Sequence, residues 1–225
     1  MRPMSVLSSV MALCFVLARS ASAAVFSAGG LTFSDELGGF RLISVTGSGS
    51  LLDPIVIVEE TLDIGESVLV IRGWAEPSAD GLEIRPPAFL SIAVTKIVLN
   101  RTDQAWAAFD MELREALDTP SPYGDGLSFD QMRSFDRPLD SDIFAAWRRV
   151  DEPYDRIRFY GGTVNPGESV WFKFYITDPT TTRRFYLLQQ PQYPIAGPAP
   201  NGVRHAAHGL ADRPMHADAF PVGGL

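Results

Sequence analysis

Between Asp118 and Asp155 the chain carries a dense set of carboxylates, broken only by Arg133, Arg137, Arg148 and Arg149. Hard cations such as calcium take oxygen ligands from loops of this kind, and Asp140-Ser141-Asp142 sets two carboxylates two residues apart. Asp125, Asp130, Asp136, Asp140 and Asp142 are therefore the candidate calcium ligands. Their spacing matches neither an EF-hand nor a glycine-punctuated calcium repeat. Turn formation, capping and surface pairing with arginine account for the same acids without a metal.

Tyr123, Trp147, Tyr154, Tyr160 and Trp171 could line a carbohydrate face, since flat rings stack on sugar rings, although large aromatics more often pack a core or an edge. Nucleophilic catalysis finds little support. His205, His208 and His216 are the only histidines, all near the C-terminus, so a Ser-His-Asp triad lacks a well-placed base. Gly47-Ser48-Gly49-Ser50 lacks the Gly-x-Ser-x-Gly elbow and reads as a hairpin loop. Paired carboxylates leave a glycoside hydrolase built on the acidic loops as an alternative. Asn100-Arg101-Thr102 has the form of a glycosylation sequon and reads equally as a turn.

The elements that must position these residues are mostly strands. From Leu31 to Thr177, short runs rich in Val, Ile, Phe and Leu are punctuated by Gly, Pro, Asp and Asn. Strands are expected at 31–33, 40–46, 55–61, 67–74, 90–99, 157–160, 169–177 and 184–189. Val170, Phe172, Phe174 and Ile176 alternate with Trp171, Lys173, Tyr175 and Thr177, giving one core face and one amphipathic face. Ile55–Val58 and Val68–Ile71 are apolar on both sides and belong inside the fold. The spacing predicts an all-β chain: a two-sheet antiparallel β-sandwich, immunoglobulin-like or jelly-roll-like, with one or two short helices.

Two segments test that scheme. Gln104–Leu117 is built of helix formers, with Trp106, Phe109, Leu113 and Leu117 at helical spacing behind an Asp103 cap. A strand with a bulge at Ala107-Ala108 would also bring Trp106 and Phe109 to one side, and the preceding strand and turn favour a hairpin. Ser141–Val150 reads as a short helix capped by Ser141, with Ile143, Phe144, Trp147 and Val150 on one face. Gly65-Glu66-Ser67-Val68 and Gly167-Glu168-Ser169-Val170 are identical tetrapeptides, each opening a strand; turn chemistry explains them more simply than duplication does.

Residues 1–23 read as a signal peptide: Arg2, an apolar run from Val6 to Ala18, and the small-x-small pattern Ala21-Ser22-Ala23. That run of about 13 residues falls short of the roughly 20 a spanning helix needs. Removal would take away Cys14, the one cysteine, leaving no disulfide, no thiolate metal site and no thiol nucleophile. It would also remove Arg2 and Arg19, making a chain of formal charge -8 more acidic still, which argues against nucleic acid as a partner. Residues 24–190 then form the sandwich domain, and 191–225, rich in Pro, Gly and Ala, a disordered tail. Arginine supplies nearly all positive charge, Lys96 and Lys173 excepted, as in chains from GC-rich bacterial genomes.

Asn100-Arg101-Thr102, Trp106, Phe109, Glu112-Leu113 and Asp125-Gly126-Leu127-Ser128-Phe129, with the later Gly162-Thr163-Val164-Asn165-Pro166-Gly167-Glu168, resemble a pattern in secreted bacterial β-sandwich proteins that carry PEP-CTERM sorting tails. The resemblance implies that the Trp106 segment is a strand, and strand is the reading taken for 104–113. The sorting tail itself is absent, the chain ending Phe220-Pro221-Val222-Gly223-Gly224-Leu225. No defined activity comes with the resemblance. The expectation is an exported bacterial protein of the periplasm or cell exterior: a non-catalytic structural or binding module with no cofactor and no transmembrane segment after signal cleavage. The alternatives are a calcium- or glycan-binding module with a cell-surface partner, and a hydrolase using the acidic loops.

Overall fold

Twelve strands are present in the computed structural model, which describes residues 22–73, 90–129, 139–180 and 184–194. In chain order they are β1 (Val25–Ala28), β2 (Leu31–Ser34), β3 (Phe40–Thr46), β4 (Ile55–Thr61), β5 (Ser67–Gly73) and β6 (Leu90–Asn100). Then come β7 (Trp106–Arg114), β8 (Asp140–Ser141), β9 (Ala146–Arg149), β10 (Arg156–Val164), β11 (Ser169–Asp178) and β12 (Arg184–Gln192). One sheet runs β1-β2-β5-β12-β7-β10-β9 and the other β3-β4-β6-β11-β8. The all-β, two-sheet sandwich is borne out. No helix among the described residues is long and apolar enough to cross a membrane.

Every ladder is antiparallel except β4 with β6, which pair in parallel from Ile55↔Val94 to Thr61↔Asn100. Parallel neighbours need a long crossover. Here the chain leaves the five-stranded sheet after β4 and lays β5 in the opposite sheet before returning as β6.

The core fills the gap between the sheets. Phe33, Leu69, Ile71, Phe109, Met111, Phe159 and Phe185 come from the larger sheet and Ile55, Ile57, Val94, Val98, Phe172 and Phe174 from the smaller. Phe172 ties the two together: its ring centroid lies 4.9 Å from those of both Phe109 and Phe159. Burying one such ring contributes about 3 kcal/mol. A smaller cluster of Val70, Tyr186 and Leu188, with Val68 and Leu117 against it, lies on the other face of β5 and β12. It explains why Val68–Ile71 is apolar on both sides.

Gln104–Leu117 contributes a strand, β7, and the irregularity expected at Ala107-Ala108 lies instead on the facing strand. Tyr160 pairs with Ala108 and Val164 with Trp106, so 161–163 oppose Ala107 alone. Glycines decide this. Gly161 takes a positive φ of 83°, and a Cβ on Gly162 would stand 2.2 Å from the carbonyl oxygen of Ile143.

The helix expected over Ser141–Val150 is not formed. Asp140 and Ser141 pair with Lys173 and Phe172 on β11, and 146–149 pair with 157–160 on β10. Both are sheet edges with open backbone groups, and they outcompete a ten-residue helix that is marginal by itself. Ser141 still acts as a cap would, its Oγ accepting the amides of Ile143 and Phe144 at 3.4 Å, but the result is a turn. The one or two short helices expected beside the sandwich are thus not found among the described residues.

β12 continues past Gln190 through Pro191 and Gln192, which pair with Phe109 and Ala108. Proline is tolerated there because the ladder to β5 has already ended at Gln189↔Ser67, so its missing N–H faces no strand.

Candidate functional site

Strand alternation sends Phe109, Met111 and Leu113 of β7 into the core and puts Asp110, Glu112 and Arg114 on the outer face of the seven-stranded sheet. On β10, Ile157 and Phe159 point inward, leaving Arg156, Arg158 and Tyr160 outside. The register sets Arg158 opposite Asp110 and Arg156 opposite Glu112.

Arg158 holds Asp110 through Nε to Oδ1 and Nη2 to Oδ2, both at 2.6 Å. Arg156 adds Nη2 to Asp110 Oδ2 at 2.9 Å and reaches Asp151 Oδ2 with Nη1 at 2.8 Å. Arg114 donates from Nε to Glu112 Oε1 at 2.6 Å and from Nη1 to the Leu117 carbonyl at 2.8 Å. Asp110 is 2% exposed and Glu112 6%, so the arginines roof two nearly buried acids. Those hydrogen bonds raise the pKa of Arg158 and Arg114 above the usual guanidinium value.

Beside this lattice lies a pocket of about 240 Å³ lined by Glu112, Arg114, Pro120, Asp151, Tyr154 and Arg156. Tyr154 gives it a ring that is 39% exposed. Asp151, at φ 57°, holds the turn that brings Tyr154 to the rim, and the Tyr154 amide donates to the Asp151 carbonyl at 3.1 Å.

A second polar constellation sits inside the core. Lys96 and Glu59, both 0% exposed, form an ion pair between β6 and β4, and Gln189 on β12 donates from Nε2 to Glu59 Oε2 at 3.2 Å. Burial lowers the Lys96 pKa, against the opposing pull of Glu59.

A third group centres on Asp155. Its Oδ1 accepts the Ser128 hydroxyl at 2.6 Å, and Arg149 Nη1 lies 3.9 Å away. Burial pushes this carboxyl up to about 6, outweighing Ser128 and Arg149, which both hold it down.

Three of the acids singled out for calcium accept backbone amides, two of them within their own turns and one from β11. Asp125 Oδ1 accepts the Leu127 amide at 3.0 Å, Asp140 Oδ1 the Ser141 amide at 2.9 Å and Asp142 Oδ1 the Trp171 amide at 2.9 Å. Asp130 and Asp136 lie outside the described residues, as do the three histidines. No group of three or more His, Cys, Asp or Glu able to hold a metal ion occurs among the described residues.

The five aromatics do not form one platform. Tyr154 rims the pocket and Tyr160 shares the outer face of the large sheet, under Arg148 at 5.8 Å. Trp147 sits on the edge strand β9, Tyr123 lies under Arg149 at 5.5 Å, and Trp171 packs against Lys173 on the other sheet at 4.6 Å.

Asp110, Glu112, Glu59 and Gln189 are not among the candidate site residues read from the sequence. The first two sit in the segment whose helical composition hides the strand alternation. The other two each open a polar run toward the end of an apolar strand, Glu59-Glu60-Thr61 in β4 and Gln189-Gln190 in β12, and so read as strand ends turning to solvent. No protein-family model, curated protein or solved structure matches this chain.

Proposed function

We propose that this chain is an exported, non-catalytic binding module that holds a saccharide in the pocket on the outer face of its seven-stranded sheet. One observation carries the reading: the half-exposed Tyr154 ring stands beside alternating guanidinium and carboxylate groups whose geometry is already set by mutual hydrogen bonds. Sugar hydroxyls donate and accept at once, so adjacent N–H and carboxylate oxygens suit vicinal hydroxyls, while the ring offers an apolar stacking surface. Asp110 and Glu112 are clasped by arginines, an arrangement for holding a shape rather than for passing protons. Export is supported by the signal-like residues 1–23, and it would place the pocket where polysaccharides are met.

The test is calorimetric titration with soluble neutral and uronic-acid oligosaccharides, against the unaltered protein and Tyr154→Ala. At least one probe should bind, with affinity reduced tenfold or more in the variant and no change in melting temperature. Silence across the panel, or equal binding by the variant, defeats the reading.

A further inference from the structure

The Lys96, Glu59 and Gln189 cluster has the parts of a bond-forming site. Lys96 belongs to β6 and Glu59 to β4 of the five-stranded sheet, while Gln189 belongs to β12 of the seven-stranded sheet, so the three meet across the sandwich interior. All are shut away from solvent, at 0%, 0% and 2% exposure. Glu59 Oε2 contacts both nitrogens that matter, Lys96 Nζ as an ion pair and Gln189 Nε2 as a hydrogen-bond acceptor. Glu59 Oε1 and Gln189 Oε1 have no hydrogen-bond partner among the described residues. Three polar groups packed so incompletely are a costly way to fill a core.

We infer that Lys96 and Gln189 become joined by an amide bond between Nζ and Cδ, with Glu59 carrying the proton and ammonia leaving. An amine must be neutral to attack a carbonyl. Burial drives Lys96 toward that form, and Glu59 is placed to take the proton it gives up. The Nζ lone pair then forms a bond to Cδ. The bond from Cδ to Nε2 breaks, its electron pair staying on Nε2, which collects a proton from Glu59 and departs as ammonia. Glu59 takes up the second proton that Nζ sheds as the new amide forms, so the carboxylate of the starting ion pair ends as the protonated acid, holding the proton Lys96 brought, and no oxidant or cofactor is consumed. One oxygen serves the nitrogen that must lose a proton and the nitrogen that must gain one. The product is a covalent tie between the two sheets, in a chain whose single cysteine, Cys14, lies in the signal-like segment.

The experiment is tandem mass spectrometry of a tryptic digest of the full chain. The expected result is peptide 73–101, uncut after Lys96, joined to peptide 185–204 with a loss of about 17 Da, one ammonia. Glu59→Gln should abolish the joined species and yield linear peptides. Linear peptides from the unaltered protein overturn the inference. So does a loss of about 18 Da with Lys96 joined to Glu59, which would be condensation with the carboxyl instead. Persistence of the joined species in Glu59→Gln removes Glu59 from its role.

Discussion

Arg158 closes on Asp110 with two parallel donors, Nε and Nη2, each 2.6 Å from its own carboxylate oxygen, across the ladder between β10 and β7. Arg156 reaches the same carboxylate from the next outward position, so a single acid organises two guanidinium groups. Bidentate contact fixes orientation as well as distance. The carboxylate is 2% exposed whereas the arginines keep partial access to water, so the acid is the member whose loss is felt.

Asp110→Ala should therefore cost about 2 kcal/mol of unfolding free energy, less than a fully buried pair because both arginines can turn to solvent. Arg148→Ala, on the same face and outside this carboxylate's hydrogen bonds, should cost under about 0.5 kcal/mol. Urea denaturation of both variants checks the order. Equal costs would show that the lattice around Asp110 contributes no special stability.

Asp155 gives a pH signature of opposite sign to ordinary paired acids. Its folded-state pKa of about 6 lies above the usual 3.8, so the folded protein binds a proton there that the unfolded chain has released. This contribution to stability is complete below the unfolded value and is lost as pH rises through about 6. Asp155→Asn removes the titration. Its stability relative to the unaltered protein should rise by on the order of 2 kcal/mol from about pH 3.5 to about pH 7. A difference that stays flat in denaturation curves across that range would mean that burial does not govern this carboxyl.

The strands were legible because each carried its own punctuation. β3 and β4 match their sequence-derived limits of 40–46 and 55–61, since apolar runs there stop at Gly, Asp and Pro. β8 and β9 were not legible. Their residues have helical spacing, and only the open edges of β11 and β10, formed from chain that comes later, turn them into strands. The outer-face lattice was hidden for a related reason: nothing local to β7 shows that Arg156 and Arg158 will arrive opposite Glu112 and Asp110. The identical tetrapeptides before β5 and β11 separate in the same way. Ser67 is buried and Ser169 exposed, in different sheets, so environment and not sequence distinguishes them.

Gly162 and Gly167 make a paired test of two reasons for glycine. A Cβ at 162 would meet the Ile143 carbonyl carbon and oxygen at 2.8 and 2.2 Å, and both are backbone atoms that cannot swing away. At 167 the space is open and only the φ of 84° opposes a side chain. Gly162→Ala should cost more than about 3 kcal/mol and Gly167→Ala about 1 kcal/mol. Thermal melts of the two variants decide it. A Gly167 variant as damaged as its partner would shift the explanation from close approach to backbone conformation.

The turn from β6 to β7 is held by side chains rather than by its backbone. Asn100, fully buried, donates from Nδ2 to the carbonyls of Gln104 at 2.8 Å and Val164 at 3.1 Å, and its Oδ1 accepts the Thr102 hydroxyl at 2.7 Å. That hydroxyl in turn accepts Nε1 of the buried Trp106 at 3.2 Å. Asn100→Asp keeps the shape but replaces two donors with a carboxylate facing two carbonyl oxygens, which favours the protonated acid and raises its folded-state pKa above the unfolded value. Stability should consequently fall by about 3 kcal/mol at neutral pH and recover in part as pH drops below the folded pKa, where a protonated oxygen can donate to one carbonyl. Thr102→Val removes the acceptor for Trp106 without adding charge and should cost about 1–2 kcal/mol with no such pH dependence. Denaturation of both variants at acidic and neutral pH separates the cases. If Asn100→Asp shows no acid recovery, the two carbonyls are not what Asn100 is holding.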